Sequence, residues 1–216
     1  MSLEAAFPEA HRVSGPPTQA DLAATETFDF DDPAVGGWAH EVVGDARDPA
    51  VRARRLFAAV RDQVRYDPSA VDPSRSAYTA SAVLASKANW CVPKAILLGA
   101  GARAVGVPAR IGFADVRNHL STEKLRARMG TDVFVYHGYV ALHVEGSWRK
   151  VSPAFNSELC ARFGVPPLDF DGRSDALLHA YDGEGRRHME YLADHGTWSD
   201  VPFVEMFAAF RETYGD

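Results

Sequence analysis

The segment NWCVPKAILLGAGARAVGVPAR, residues 89–110, carries the strongest structural pattern in the chain. Its long apolar run predicts a helix that begins at Trp90 or Cys91 and continues for more than three turns. Pro108 prevents the helix from continuing, because proline removes a backbone donor and clashes with the preceding turn. A strand over residues 109–114 is expected to follow directly.

Upstream of this segment, the chain shows helix and loop signals in turn. Asp48 is a good N-cap residue, and the proline after it suits a first helical position, so we predict a helix up to about Arg65. Residues 66–76 contain two Asp-Pro pairs and read as a loop, and a short helix capped by Thr79 is expected afterwards. Residues 1–20 are expected to be irregular.

Downstream, the segment Val133–Val144 is rich in Val, Tyr and Phe and gives the clearest strand signal. A short helix over 121–129 is expected before it. Residues 145–146 form a plausible hairpin turn, with a returning strand over 148–152. Helices followed by a hairpin predict the α+β class, with an antiparallel sheet packed against a helix. The pattern after residue 157 predicts no definite element.

The composition excludes several classes of protein. The chain has 216 residues and a formal net charge of -6, which argues against a nucleic-acid binder. Its two cysteines cannot form a secreted disulfide framework. No leader segment or long apolar span opens the sequence, so we expect a single-domain, cytoplasmic protein without a membrane segment.

Cys91 is a candidate nucleophile because of its place at the predicted helix start. Free backbone N–H groups and the helix dipole at that position favour negative charge, which predicts a lowered thiol pKa. The same N–H groups could stabilise an oxyanion. Cys160 lacks this context and is expected to be a small buried side chain.

A cysteine nucleophile needs a base, and His137 on the predicted strand is the candidate. The strand separates His137 from His143 by roughly 20 Å, so the two histidines cannot serve one site. If residues 145–146 form the turn, Ser152 and Asn156 become the same-face diagonal neighbours of His137. Either could orient the imidazole ring, and the predicted strand register does not distinguish between them.

Residues 54–156 resemble the transglutaminase-like superfamily, which has a papain-like cysteine acyl-transfer fold. The resemblance rests on several motifs that occur in the expected order with fitting spacing: YTASAVL at 78–84, NWCVPKA at 89–95, RAVGVPAR at 103–110, HGYV at 137–140, GSW at 146–148 and the Ser-Pro pair at 152–153.

The resemblance implies that Cys91 and His137 are the catalytic pair. The family normally carries an aspartate where this chain has Ser152, and a serine hydroxyl supplies no negative charge to the ring. Asn156 is therefore favoured over Ser152 as the orienting group. Aspartates 115 and 132 are outside candidates, because neither has a predicted geometry that aims it at the ring. The resemblance also implies an oxyanion or substrate-binding role for three residues in or beside these motifs: Trp90, Asn89 and Tyr139.

The reaction implied is acyl transfer at an amide or thioester carbonyl through a thioester intermediate, with hydrolysis slightly favoured. Peptides, proteins or small amides and thioesters are the expected substrates, and no metal or organic cofactor is expected. An amide-forming transglutaminase-type reaction is an alternative, and so is a non-catalytic binding domain on the same fold. We expect a single domain with a core over 48–156, and an extension over 157–216 that shapes the cleft or forms a lid.

Overall fold

The computed structural model describes residues 10–215 and contains seven strands, seven α-helices and two short 3-10 turns in that range. The strands are β1 (Arg12–Val13), β2 (Arg65–Tyr66), β3 (Ala88–Asn89), β4 (Ala109–Asn118), β5 (Val133–Val144), β6 (Ser147–Val151) and β7 (Met189–Trp198). The helices are α1 (Pro33–Val43), α2 (Pro49–Gln63), α3 (Ala80–Ala85), α4 (Cys91–Ala104), α5 (Glu123–Met129), α6 (Ser157–Arg162) and α7 (Phe203–Tyr214).

Five strands form one antiparallel sheet in the order β1-β7-β4-β5-β6. The hairpin of β5 and β6 turns at Glu145 and Gly146, which both have positive φ, and the register pairs Val144 with Ser147. Paired positive φ values give the turn the twist that adjacent antiparallel strands need. Strands β2 and β3 form a separate parallel pair that leads into α4.

Helix α4 is the centre of the molecule. Every residue from Cys91 to Arg103 is buried, because the helix packs on β5 and is covered by α1, α2 and α3. Two glycines permit this close packing. A Cβ at Gly99 would lie 2.8 Å from the Phe28 ring, and one at Gly101 would lie 2.8 Å from the Trp38 ring. A helix buried on all sides explains why its sequence is apolar on every face.

The α+β class predicted from the sequence is confirmed, and several elements agree closely with expectation. Helix α2 has Asp48 as its N-cap, α3 has Thr79 as its N-cap, and β5 has the predicted bounds. Seven elements were not predicted: the short strands β1, β2 and β3, helix α1, and the later elements α6, β7 and α7. Helix α1 contains the Gly36-Gly37 pair, which weakens a helix signal, although Asp32 caps it well.

The predicted division of the chain at residue 156 does not match the sheet. Strand β7 lies between β1 and β4, so the later segment contributes a central strand rather than an extension beside a finished core. Of the predicted irregular segment 1–20, residues 1–9 lie outside the described residues. The rest of it contains β1 and part of the 3-10 turn Gln19–Leu22. Between residues 10 and 215, no helix has the length and apolar character needed to cross a membrane.

Candidate active site

Cys91 is the first residue of α4, where backbone N–H groups have no partner inside the helix. Trp90 precedes it as the N-cap residue, and the Trp90 carbonyl accepts the Lys94 amide at 3.3 Å. The Asn89 Oδ1 accepts the Trp90 amide at 3.0 Å, which fixes the direction in which the chain enters the helix. Pro93 fits here because the first turn needs no intrahelical donors.

Helix α4 meets strand β5 at Gly138. A Cβ at Gly138 would lie 2.9 Å from the Val92 Cα, so a larger residue would push the helix away from the strand. This close approach places the Gly138 amide near the Cys91 sulfur, where it lowers the thiol pKa together with the amides of Cys91 and Val92.

His137 precedes Gly138 on β5, and its ring lines the same cavity as Cys91. Its Nε2 lies 3.1 Å from the Ser152 Oγ, and both side chains are buried. The Ser152 amide donates to the Ala176 carbonyl at 2.9 Å, which holds the serine in place just after β6 ends. With Nε2 bound to the hydroxyl, Nδ1 is the ring nitrogen that remains for proton exchange with the sulfur.

Burial keeps both members of this pair uncharged. It raises the pKa of the Cys91 thiol to about 11, although the three surrounding amides lower it, and it lowers the pKa of His137 to about 4. The lowered thiol pKa expected from the helix start is therefore wrong in direction, because desolvation outweighs the N–H groups. Among the hydrogen bonds of the described residues, none joins the ring to the sulfur, and such contacts often tighten only with substrate bound.

Among the hydrogen bonds of the described residues, none joins Asn156 to the ring, contrary to the preference drawn from the sequence. The chain leaves the sheet after Val151, so the register that placed Asn156 diagonally from His137 no longer applies. Asn156 instead occupies the N-cap position of α6, and its Oδ1 accepts the Tyr66 amide at 3.0 Å. Ser152 is the residue that the structure places on the ring.

The three residues expected to bind the oxyanion or substrate lie in different places. Trp90 is buried and lines the cavity with Cys91. Asn89 holds the Trp90 amide from the strand before the helix. Tyr139 lies elsewhere: its hydroxyl donates to Asp194 at 3.0 Å, and its ring fills the space over Gly112, where a Cβ would lie 2.2 Å from it.

A second histidine–carboxylate group lies beside the site and was not assigned from the sequence. The Asp115 Oδ1 accepts the Tyr136 amide at 3.0 Å and the His195 Nε2 at 2.8 Å. Tyr136 has a φ of 52°, and its ring stacks on His195 with centroids 4.5 Å apart. The β4–β5 register shifts at this point, which makes a bulge directly before His137. The sequence carries no signal for it, because the contact joins three strands.

Comparison with known families decides the assignment. A model described as the transglutaminase-like superfamily matches residues 36–153, which is more than half of the chain. The chain belongs to the transglutaminase-like superfamily. The matched segment includes Cys91, His137 and Ser152, and it ends before Asn156. No curated protein matches the sequence.

Solved structures with this transglutaminase-like fold are distant in sequence. A structure described as a putative cysteine protease from Cytophaga hutchinsonii aligns at 14% identity and a TM-score of 0.51, over 86% of this chain and 48% of that one. Red sea bream transglutaminase aligns at 16% identity and a TM-score of 0.45, over 63% of this chain and 32% of its own. The chain thus spans about half the length of the first of these proteins, with which it shares the fold.

The cavity of this transglutaminase-like chain has a volume of about 560 Å³. Cys91 and His137 lie on its wall, most of which is formed by the loop after β2, helices α5 and α7 and parts of β4 and β5. Tyr66 also lines it, and burial together with the nearby Cys91 raises the pKa of its phenol well above the usual range. The hydroxyl therefore stays protonated. Within residues 10–215, no group of three or more His, Cys, Asp or Glu side chains is arranged to hold a metal ion.

Proposed function

We propose that the chain is a cysteine-dependent acyl-transfer enzyme that hydrolyses an amide or thioester, with Cys91 as nucleophile and His137 as base. The observation that carries the proposal is the shared cavity wall, which includes a helix-start thiol and a strand imidazole, with a hydroxyl bound to Nε2 of the ring. A nucleophile, a base and an orienting group are the parts that covalent catalysis by cysteine requires.

In the first half of the reaction, Sγ of Cys91 attacks the carbonyl carbon while its proton passes to Nδ1 of His137. The amide N–H groups at the start of α4 are positioned for the developing oxyanion. When the intermediate collapses, the carbon–sulfur bond to Cys91 remains and the bond to the leaving group breaks. The amine or thiol departs with the proton from the imidazolium.

In the second half, His137 takes a proton from water, and the resulting hydroxyl adds to the thioester carbon. Collapse breaks the carbon–sulfur bond, releases the carboxylic acid and returns the proton to the sulfur. Because the resting pair is uncharged, His137 acts as a general base during attack rather than as the partner of a standing thiolate.

Water is the acceptor we favour over an amine. An ammonium group such as a lysine side chain is drawn to a site by carboxylates, and the cavity wall carries none among the residues that the structure describes. Arg211 lies on the same wall and would repel a cation. The charge of the cavity wall therefore favours hydrolysis over transglutaminase-type amide formation.

Ser152 favours one alternative, a non-catalytic binding domain on the same fold. A hydroxyl cannot balance an imidazolium as the superfamily's aspartate does, so the ring is a weaker acid–base group here. Such a domain would bind peptides, proteins or small amides without forming a covalent intermediate.

We also propose a cytoplasmic location and no nucleic-acid or membrane partner. Cys91 and Cys160 are both free and buried, which fits a reducing compartment. The net charge of -6 disfavours polyanions and anionic membrane surfaces.

Trapping the intermediate tests the proposed function. The protein is mixed with an acyl thioester, quenched in acid, digested and analysed by mass spectrometry for acyl mass on the Cys91 peptide. We expect the adduct in the wild type and in Cys160→Ala, none on that peptide in Cys91→Ala, and acylation at least a hundredfold slower in His137→Ala. Substrates that bind but never acylate Cys91 would favour the binding domain.

A further inference from the structure

We propose that the cavity beside Cys91 binds the acyl group of the substrate, and that this group is apolar and larger than acetyl. The inference rests on the proposed function and deepens it by assigning a substrate class. It follows from the walls of the cavity, from the polar groups that are already engaged there, and from the order of the two chemical steps.

The walls of the cavity are built mainly from apolar side chains of separate elements. Leu125 and Met129 come from α5, Phe207 and Phe210 from α7, and Phe134 from β5. The volume of about 560 Å³ falls within the range of roughly 300–1,000 Å³ found for small-molecule sites. A site with such walls gains affinity chiefly by removing apolar ligand surface from water.

Several polar side chains on these walls already have partners within the protein. The Ser69 hydroxyl donates to Asp67 at 2.6 Å, and the Asn118 Oδ1 accepts the Leu120 amide at 3.0 Å. The Tyr214 hydroxyl accepts the Val135 amide at 2.7 Å. A peptide in this cavity would leave many of its own amide groups without partners, which is unfavourable once water is excluded. An apolar acyl chain has no amide groups that need such partners.

The mouth of the cavity is apolar as well. Val71 lies on the wall and is 46% exposed, next to the prolines of the loop after β2. One exposed valine is ordinary on a protein surface. Here, however, it continues the apolar wall outward to solvent, so a ligand longer than the inner cavity would cover it.

The order of the reaction steps assigns the cavity to the acyl group. The acyl group stays bonded to Cys91 Sγ from the first attack until water releases it, whereas the leaving group departs after the first step. A large cavity that directly borders the sulfur is therefore best used to hold the retained group. The leaving amine or thiol needs only a path to solvent.

A chain-length series tests the assignment. Straight-chain acyl thioesters of one small thiol, from acetyl to decanoyl, are compared with the corresponding primary amides, a succinyl thioester and a glutamine-containing peptide, with the released acid measured by chromatography. We expect kcat/KM to rise about threefold to fourfold per methylene until the cavity is filled, since burial of a CH₂ contributes ~0.8 kcal/mol. The thioester and amide arms distinguish the two possible carriers of the acyl group.

Two valine variants provide the matched control. Val71→Asp places a charge on the wall, whereas Val204→Asp places it at a similarly exposed position, 37% against 46%, outside the cavity lining. We expect Val71→Asp to lower kcat/KM for the decanoyl substrate about tenfold more than for the acetyl substrate. Val204→Asp is expected to change neither value.

A binding measurement separates failure of this inference from failure of the proposed function. Cys91→Ala cannot acylate, so calorimetry with decanamide and acetamide reports the cavity alone, and we expect only decanamide to bind. If no substrate acylates Cys91, the proposed function fails. If Cys91 is acylated at rates indifferent to acyl length, or the glutamine peptide is preferred, the acyl assignment is overturned while the enzyme stands.

Discussion

His137 and His195 lie on different strands of one sheet, and each ring has an oxygen partner, but the partners differ in charge. His137 is buried and bound to the Ser152 hydroxyl at 3.1 Å. His195 is partly exposed and bound to the Asp115 carboxylate at 2.8 Å. The carboxylate, which could balance a charged ring, thus stands beside the site instead of within it. A buried ring without that charge is neutral at rest and must take up its proton during the reaction itself.

The largest effect expected from this difference is in the reactivity of Cys91. A thiol with a pKa of about 11 reacts through a small thiolate fraction, which grows tenfold per pH unit. Alkylation of Cys91 in a Cys160→Ser background should therefore accelerate about a thousandfold between pH 6 and pH 9. The rate is measured by mass spectrometry after timed quenching. A rate that is flat across this range would reveal a standing thiolate–imidazolium pair.

Placing a carboxylate beside the buried His137 ring should remove much of the difference between His137 and His195. Ser152→Asp places a negative charge beside Nε2, which favours an imidazolium and, through it, a Cys91 thiolate. We expect alkylation of Cys91 at pH 7 to accelerate roughly tenfold to a hundredfold. Ser152→Asn has nearly the same shape without the charge and should not accelerate it. Equal rates in the two variants would contradict the electrostatic explanation.

The buried neutral ring should also make stability depend on pH. The pKa of His137 is lowered from 6.5 to about 4 in the folded protein, so below pH 6.5 the unfolded chain binds the proton and the folded one does not. Folding stability is therefore complete above pH 6.5 and falls as pH drops toward 4, by up to about 3 kcal/mol.

Urea unfolding at pH 7 and pH 4.5 measures this loss, and His137→Gln isolates it from the titration of the acidic residues. The variant keeps a polar side chain but cannot take up the proton, so its stability should fall less over the same range. Parallel losses in both proteins would mean that the ring is already accessible to protons in the folded state.

The smallest effect is expected from the part-buried pair of His195 and Asp115, through the bulge before His137. Tyr136 at φ 52° adopts a conformation that costs about 1–2 kcal/mol for a residue other than glycine, and the Asp115 carboxylate holds it there. Asp115→Ala should lower the Cys91 acylation rate about tenfold with little change in KM, because His137 loses its fixed direction.

Asp115→Asn can still accept the Tyr136 amide and should restore most of the rate, and His195→Gln should have little effect. If both Asp115 variants lose the same activity, charge rather than the bulge is responsible. Melting temperatures of all three variants show whether a general loss of stability explains the change.

The elements that the sequence predicts well are those with local causes. Asp48 and Thr79 cap their helices through their own side chains, and the hairpin of β5 and β6 follows from a two-residue turn. His137 lies on this hairpin, and Cys91 begins α4, whose long apolar run is also a local signal.

The features that escaped prediction depend on distant parts of the chain. Strand β7 contains Gly196 and shifts register twice against β4, so it has no regular alternation to detect. The expected place of Asn156 assumed that the strand continues, but β6 ends at Val151, just before Pro153, which cannot donate to the ladder. Burial sets the direction of the Cys91 pKa shift, and the cavity around this thiol is lined by α7 and the loop after β2. These segments are distant in the sequence, so the position of Cys91 at a helix start does not reveal its burial.

The position of β7 has a consequence for synthesis and for proteolysis. A nascent chain can form α4 and the hairpin of β5 and β6 before β7 has left the ribosome, but β4 then lacks its second neighbour. Any fragment that ends before Met189 exposes β4 as an unpaired edge, which is a template for aggregation. The sheet that carries His137 is therefore complete only after β7 has been synthesised. Because β7 pairs with distant parts of the chain, folding is expected to be slow.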